Sequence, residues 1–269
     1  MSPEQLRRQK EERLGETNVN SQGEVMTIIN YRTAMDIDIQ FSDTESIRCH
    51  QRYANFKKGA VKDYWLPTVY GVGRLENGKI YDENKEKRLP FKYWESMLKR
   101  CYNEPDLLRY PTYRSCKVCD EWLHFPSFEK WFNENYYECG EERMRLDKDI
   151  LIKNNKIYSP DTAIFVPERI NNFFTKTNAR RGAYPIGVTY RPEEHKFVAS
   201  MSKLDNEQHQ TKHQIILGRF DNPEKAFIAY KKAKELYVKE IADIYLKKYP
   251  AFPIKLHTAL YNYRVSITD

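Results

Sequence analysis

Ile186-Gly187-Val188-Thr189-Tyr190-Arg191 is followed by Pro192-Glu193-Glu194-His195 and then by Lys196-Phe197-Val198-Ala199-Ser200-Met201. Two runs rich in β-branched and aromatic residues, parted by a turn, read as an antiparallel strand pair. After a polar hairpin loop, His213-Gln214-Ile215-Ile216-Leu217-Gly218-Arg219-Phe220 supplies a third strand. Asp221-Asn222-Pro223 then caps a helix, with Pro223 at its first position and Glu224 favourable to the helix dipole. Its apolar stripe is Phe227, Tyr230, Ala233, Tyr237, Ile241 and Ile244, about five turns of amphipathic helix. Residues 183–246 therefore read as three antiparallel strands backed by one helix. The tail, 247–269, contains Pro250 and Pro253 and is expected to lie along the surface.

Upstream, Arg145-Leu146-Asp147-Lys148-Asp149-Ile150-Leu151 reads as a strand. A polar turn at Lys153-Asn154-Asn155-Lys156 and a second at Ser159-Pro160-Asp161 lead to the strand Ala163-Ile164-Phe165-Val166. Pro167 suits the first position of a helix through Ile170, Phe173 and Phe174. The order strand, loop, strand, helix is a ββα unit, with Asp147 and Asp149 on its first strand and Asn171 and Asn172 on its helix. Its lead-in is helical: Phe91, Trp94, Leu98 and Cys101 recur at helical spacing, and a second helix from about Ser127 to Asn135 carries Phe128, Trp131 and Phe132. Residues 63–90 have the turn chemistry of a connector. Gly71 and Gly73 lack the strand, third glycine and helix of a dinucleotide fingerprint. Residues 1–62 hold a charged helical lead-in and a small β module. There Ile37, Ile39 and Phe41 alternate with Asp36, Asp38 and Gln40, the period of a half-buried strand. The fold class is α+β in three small modules: 1–62, then 91–176 after the connector, then 183–246.

The 269 residues carry 31% charged and 14% aromatic side chains. That aromatic content excludes disorder over most of the chain. Mean hydropathy is −0.81, and no stretch approaches the ~20 apolar residues of a membrane span. The first 15 residues have the composition of neither a signal peptide nor a transit sequence. Five cysteines, an odd number, fit a reducing cytosol; the expected location is cytoplasmic, the host cytoplasm for a phage-encoded chain. Cys116 and Cys119 have C-x-x-C spacing, and with Cys101 and Cys139 would supply four thiolates, enough for a structural zinc. The alternative is that these are small buried residues beside Trp122 and Phe125. Net charge is +7, and residues 180–269 hold 16 Lys and Arg against 10 Asp and Glu. A basic C-terminal third is an electrostatic footprint for a polyanion such as nucleic acid.

Two stretches resemble known families. Trp94-Glu-Ser-Met-Leu-Lys-Arg-Cys-Tyr-Asn103, Val118-Cys-Asp-Glu-Trp122, Phe125-Pro-Ser-Phe128, Leu146-Asp-Lys-Asp149, Asn154-Asn155, Tyr158-Ser-Pro160 and Asn171-Asn172 come in the order found in HNH-type proteins of bacteriophages and mobile elements. The resemblance covers about residues 91–176. Ile186-Gly-Val188, Phe197-Val-Ala199, Leu217-Gly-Arg-Phe220 and the helix from Ala226 to Tyr230 resemble an ERF/APETALA-type DNA-binding domain, which also occurs beside HNH units in phage homing endonucleases.

The HNH resemblance implies one divalent metal, Mg or Mn, held on the ββα unit by hard oxygen ligands. A base activates water, and the metal neutralises charge on the phosphate in the transition state. By position, Asp147 is the metal-binding acid, Asn171 or Asn172 the helix ligand, and Asn154 or Asn155 the asparagine that braces the loop. The base position falls on Lys148, a departure from the family. An ammonium with an ordinary pKa near 10.4 cannot take a proton at neutral pH. Asp149 is the substitute base, a weak one, and the chain's histidines all lie outside this unit. Endonuclease activity is therefore an open expectation, and Lys148 argues against it. The ERF/APETALA resemblance implies a sheet laid in the major groove of double-stranded DNA. Arg191, Lys196, Lys203, Lys212, His213 and Arg219 are the candidate contacts, with Arg180 and Arg181 adding phosphate contacts. The leading expectation is a DNA-binding protein of the HNH homing-endonuclease type. The rival is a relative without catalysis, acting as a DNA-binding regulator or as a phage counter-defence protein that binds a host protein complex. Oligomeric state is left open.

Overall fold

A four-stranded antiparallel meander forms the N-terminal sheet. Helix α1 (Pro3–Arg13) leads into strands β1 (Thr17–Val19), β2 (Val25–Thr33), β3 (Asp36–Phe41) and β4 (Ile47–Gln51), paired in that order. Ile37, Ile39 and Phe41 are buried while Asp36, Asp38 and Gln40 stay half-buried on the other face. A bulge after Ile28 shifts β2 by one residue against β3, so Tyr31 rather than Asn30 returns to the core. Met26, Ile28, Tyr31, Ile37, Ile39 and Phe41 pack with Phe56 of helix α2 (Tyr53–Lys57) and with Val61. Full burial of such side chains is worth roughly 1.5–3 kcal/mol each.

The computed structural model describes residues 3–76, 78–174, 183–204 and 212–267 of the chain. These divide into two units, Met1–Glu134 and Asn135–Asp269. The division falls inside the stretch 91–176, between the helical lead-in and the ββα unit. In the first unit a second core gathers around helix α3 (Leu89–Tyr102), followed by α4 (Glu104–Arg109), the short strand β5 (Lys117–Val118) and α5 (Phe125–Asn135). Trp94 of α3 donates from Nε1 to the Trp122 carbonyl at 2.6 Å and lies 5.3 Å from the Phe125 ring. Part of the stretch read as a connector, around Gly73, packs on this core. A Cβ on Gly73 would lie 2.5 Å from Leu98 and 2.8 Å from Trp94, so only glycine lets the backbone approach α3 so closely.

The second unit begins with strand β6 (Met144–Asp147), then β7 (Ile157–Tyr158), β8 (Ile164–Pro167) and helix α6 (Glu168–Phe174). Strands β6 and β8 are antiparallel, with Leu146 opposite Phe165 and Asp147 opposite Ile164. The first strand is shorter than its sequence suggested. It ends at Asp147, whose carboxylate takes the amides of the next turn, so Asp149 lies in a turn and not on the strand. Pro167 closes β8 rather than opening the helix, because it still pairs with Met144.

Strands β9 (Val188–Arg191), β10 (Lys196–Leu204) and β11 (Lys212–Phe220) form an antiparallel sheet with β10 in the middle. Helix α7 (Pro223–Lys248) packs on one face of it. The α7 cap is the expected one: Asn222 Oδ1 accepts the amides of Glu224 at 2.7 Å and Lys225 at 3.1 Å. The buried side of α7 runs through Phe227, Tyr230, Lys234, Tyr237, Val238, Ile241 and Tyr245, and Ile244 is exposed. The tail does not simply lie along the surface. Helix α8 (Ile254–Tyr261) packs on α7, and Phe252, Leu256, Leu260 and Val265 are buried. Among the described residues no helix is long and apolar enough to cross a membrane.

Gly187 fixes how closely the sheet meets the helix. Its φ is +78°, and a Cβ there would fall 2.1 Å from the Tyr230 ring. Gly187→Ala combines left-handed backbone strain with a clash, so it should lower stability by about 2 kcal/mol or more. Urea unfolding followed by circular dichroism measures this; an unchanged midpoint would contradict the packing.

Candidate functional site

Two features of the second unit bear on function: the acidic turn after β6 and the face of the β9–β11 sheet that α7 does not cover. In the turn, Asp147 Oδ1 accepts the amides of Asp149 at 2.8 Å and Ile150 at 2.7 Å. Such side-chain-to-backbone bonds reverse the chain locally. Burial raises the Asp147 carboxyl to about 6, and the Asp149 charge adds to this, against the pull of the two amides. Lys148 is buried, and its ammonium lies 3.2 Å from Asp149 Oδ2 and 5.8 Å from the centre of the Tyr158 ring. Asn155 ties the loop together: its amide donates to the carbonyls of Lys148 at 2.7 Å and Ile157 at 2.6 Å. Asn154 has a positive φ in the same loop.

Helix α6 packs against β6 and β8. Its Asn171 is half-buried and Asn172 exposed. Glu168, in its first turn, accepts from Arg145 Nε at 3.0 Å. The acids are thus partly committed: one oxygen of Asp147 to two backbone amides, and one of Asp149 to a buried ammonium. A single-metal Mg or Mn site fits this donor set poorly. A buried ammonium is stable only when paired, and Asp149 is one of the groups that Lys148 engages.

The sheet divides its side chains by register. Lys196 faces Arg191, Val198 faces Thr189 and Arg219, and Ala199 faces Val188 and Gly218. A bulge between Ala199 and Ser200 then makes Leu217 the extra residue of β11 and puts Ser200 opposite Ile216, Ser202 opposite Gln214 and Lys203 opposite His213. The outer face therefore carries Thr189, Arg191, Lys196, Ser200, Ser202, Gln214, Ile216 and Arg219, with buried Val198 at its centre. Lys203 and His213 belong to the other face. Lys203 Nζ lies 3.7 Å from Glu240 and 4.8 Å from the centre of the Tyr237 ring, both on α7. Of the residues expected to touch DNA, Arg191, Lys196 and Arg219 share the outer face. Lys212 opens β11, with its side chain outside the described residues, as are Arg180 and Arg181.

Each outer cation has an acidic neighbour. Arg191 lies 3.8 Å from Glu193, Arg219 Nε 2.5 Å from Glu194, and Lys196 pairs with Asp221. Exposed pairs contribute about 0–1 kcal/mol, so a phosphate can replace these partners at little cost. Gln214 was missed in the sequence. Its Nε2 donates to Ser200 Oγ at 2.9 Å, which orients an amide of the kind that reads adenine.

The first unit holds a further charged cluster. Among the described residues, Asp36, Asp38 and His50 are the group of three His, Cys, Asp or Glu residues whose ligand atoms lie close enough to share a metal. A guanidinium already serves it: Arg32 donates to Asp36 at 2.8 and 2.9 Å and to Asp38 at 2.8 and 2.5 Å. Hydrogen bonds from Arg32 hold the Asp38 carboxyl far below its usual range. Cys101, Cys116 and Cys119 do not gather in this way, and Cys116 Sγ lies 3.8 Å from the Thr112 carbonyl. Burial pushes up the Cys119 thiol, and in the second unit it pushes Cys139 to about 12. His124 pairs through Nδ1 with Glu76.

No family model matches the chain, and no curated protein or solved structure matches it either.

Asp147→Asn keeps an acceptor for the two amides, whereas Asp147→Ala removes it. Thermal unfolding should therefore separate them, with the alanine variant less stable by about 1–2 kcal/mol, as for a lost helix cap; equal losses would contradict the turn role. Asp38 titrates lower in the folded chain than its unfolded value near 3.9. Its contribution to stability is present above about pH 4 and is lost as pH falls toward the folded value. Asp38→Asn should flatten that acid limb in a pH series of unfolding curves.

Proposed function

We propose that this chain binds duplex DNA through the outer face of β9–β11, and that its HNH-like ββα unit serves as scaffold rather than as a nuclease. The carrying observation is the division of the sheet. One face is covered by α7, and the other presents Arg191, Lys196, Arg219, Gln214 and Ile216 to solvent. Neighbouring strands stand about 4.8 Å apart, so three span about 10 Å. A major groove about 12 Å wide can receive such a surface. Arg191, Lys196 and Arg219 would hold phosphates, Gln214 would meet a base edge, and Ile216, 55% exposed, would contact a thymine methyl group. Against cleavage stand the buried Lys148 ammonium on Asp149 and the engagement of Asp147 with its own turn.

Fluorescence anisotropy with labelled duplex, across a salt series, tests the binding. Each of Arg191→Ala, Lys196→Ala and Arg219→Ala should weaken binding and reduce the salt slope by about one. Lys203→Ala should leave the slope unchanged. Incubation with supercoiled DNA and Mg or Mn should yield no nicks above background. Absence of binding at about 50 mM salt, where phosphate contacts are strong, would overturn the DNA reading. Nicking that disappears in Asp147→Asn would establish the nuclease instead.

A further inference from the structure

At one end of the N-terminal sheet, three separate segments bring acids together. Glu24 precedes β2, Asp43 lies in the turn between β3 and β4, and Asp63 follows α2. Asn20 Oδ1 accepts the amides of Gln22 at 2.9 Å and Glu24 at 3.0 Å, which fixes the first segment. Gln22 clasps the third: its Oε1 accepts the Asp63 amide at 2.7 Å and its Nε2 donates to the Asp63 carbonyl at 3.1 Å. Glu24 is 2% exposed and Asp63 fully buried. Ser46 Oγ donates to Asp63 Oδ1 at 2.9 Å, the Trp65 amide donates to the same oxygen at 2.8 Å, and Thr44 Oγ1 donates to Oδ2. Glu24 is less well supported: burial and the neighbouring Asp63 carboxyl oppose its charged form, while the Asp43 amide favours it. Both of its carboxyl oxygens are sealed from solvent without a well-formed hydrogen bond. The charges acting most strongly on it are Asp63 and Asp43, both acidic. A buried carboxylate facing like charges is expensive unless a cation or a proton compensates it.

We propose that Glu24 and Asp63, with the hydroxyls of Thr44 and Ser46, hold a hard divalent cation, Ca²⁺ or Mg²⁺, at this end of the sheet. Every donor is an oxygen, the ligand type of these ions and not of zinc or copper. Exposed Asp43 stands at the rim, where it draws the ion in. Asp63 Oδ1 already accepts two hydrogen bonds, whereas Oδ2 accepts one and keeps a lone-pair site for the ion. The ion ties the segment before β2 to the one after α2 and so acts on stability. The site lies in the first unit and is independent of DNA binding by the second.

The test uses the full chain, stripped with chelator, at pH 8. Thermal unfolding is followed in CaCl₂, in MgCl₂ and in NaCl of matched ionic strength, and calorimetric titration gives the stoichiometry. A divalent ion that binds the native chain alone raises the melting temperature with concentration. The expected result is a saturable rise of several degrees with one of the two ions, at one ion per chain. It should vanish in Glu24→Gln and persist in Asp38→Asn, which alters the Arg32 cluster instead. Two results would overturn the proposal. One is an equal rise in Glu24→Gln. The other is no rise in the wild-type chain with either ion; a higher melting point for Glu24→Gln would then make the pair two carboxyls sharing a proton.

Discussion

The bulge between Ala199 and Ser200 decides what the C-terminal sheet offers to solvent. Side chains alternate between faces with period two, so one extra residue exchanges the faces of everything beyond it. Before the bulge, Arg219 looks outward beside Thr189 and Val198. Beyond it, Gln214 and Ile216 look outward while His213 turns toward the helix side with Lys203. With an unbroken register the outward set of β11 would be the opposite one. Helix α7 makes the choice binding, because Tyr237 and Glu240 engage Lys203, and the closely packed Tyr230 leaves no room at Gly187 for a side chain.

The acidic turn after β6 is a second constraint of the same local kind. A carboxylate that accepts two backbone amides two and three residues ahead ends the strand where it stands. Lys148, the residue between the two acids, is drawn inward and neutralises the second acid. Asn155 then closes the loop through two carbonyls. The residues that resemble a nuclease motif are thereby engaged in holding their own loop. That is why the scaffold reading accounts for them with fewer additions than a metal-dependent one.

Much of the fold could be read from local pattern. Ile37, Ile39 and Phe41 alternate cleanly and lie in the core, and Asn222 caps α7 through its own side chain. The boundaries were harder. Arg145 to Leu151 has the composition of a strand, yet an aspartate ready to bind its own backbone stops it after Asp147. The tail looked unfavourable for structure because of Pro250 and Pro253, but Pro253 directly precedes α8, and Leu256 and Leu260 bury its apolar side. His213 and Arg219, six residues apart on β11, would share a face in an unbroken strand, and only the bulge separates them. The meeting of Glu24, Asp43 and Asp63 left no trace in local spacing, since it depends on three segments brought together by the tertiary fold.

Lysine acetylation footprinting of the intact chain, with and without duplex DNA, tests the DNA-binding surface most directly. Mass spectrometry reports the reactivity of each lysine separately. Lys196 should become protected by duplex, while Lys203 and Lys148 react as they do in the free protein. Protection of Lys203 without Lys196, or no protection of Lys196 under conditions where the duplex is bound, would contradict the account.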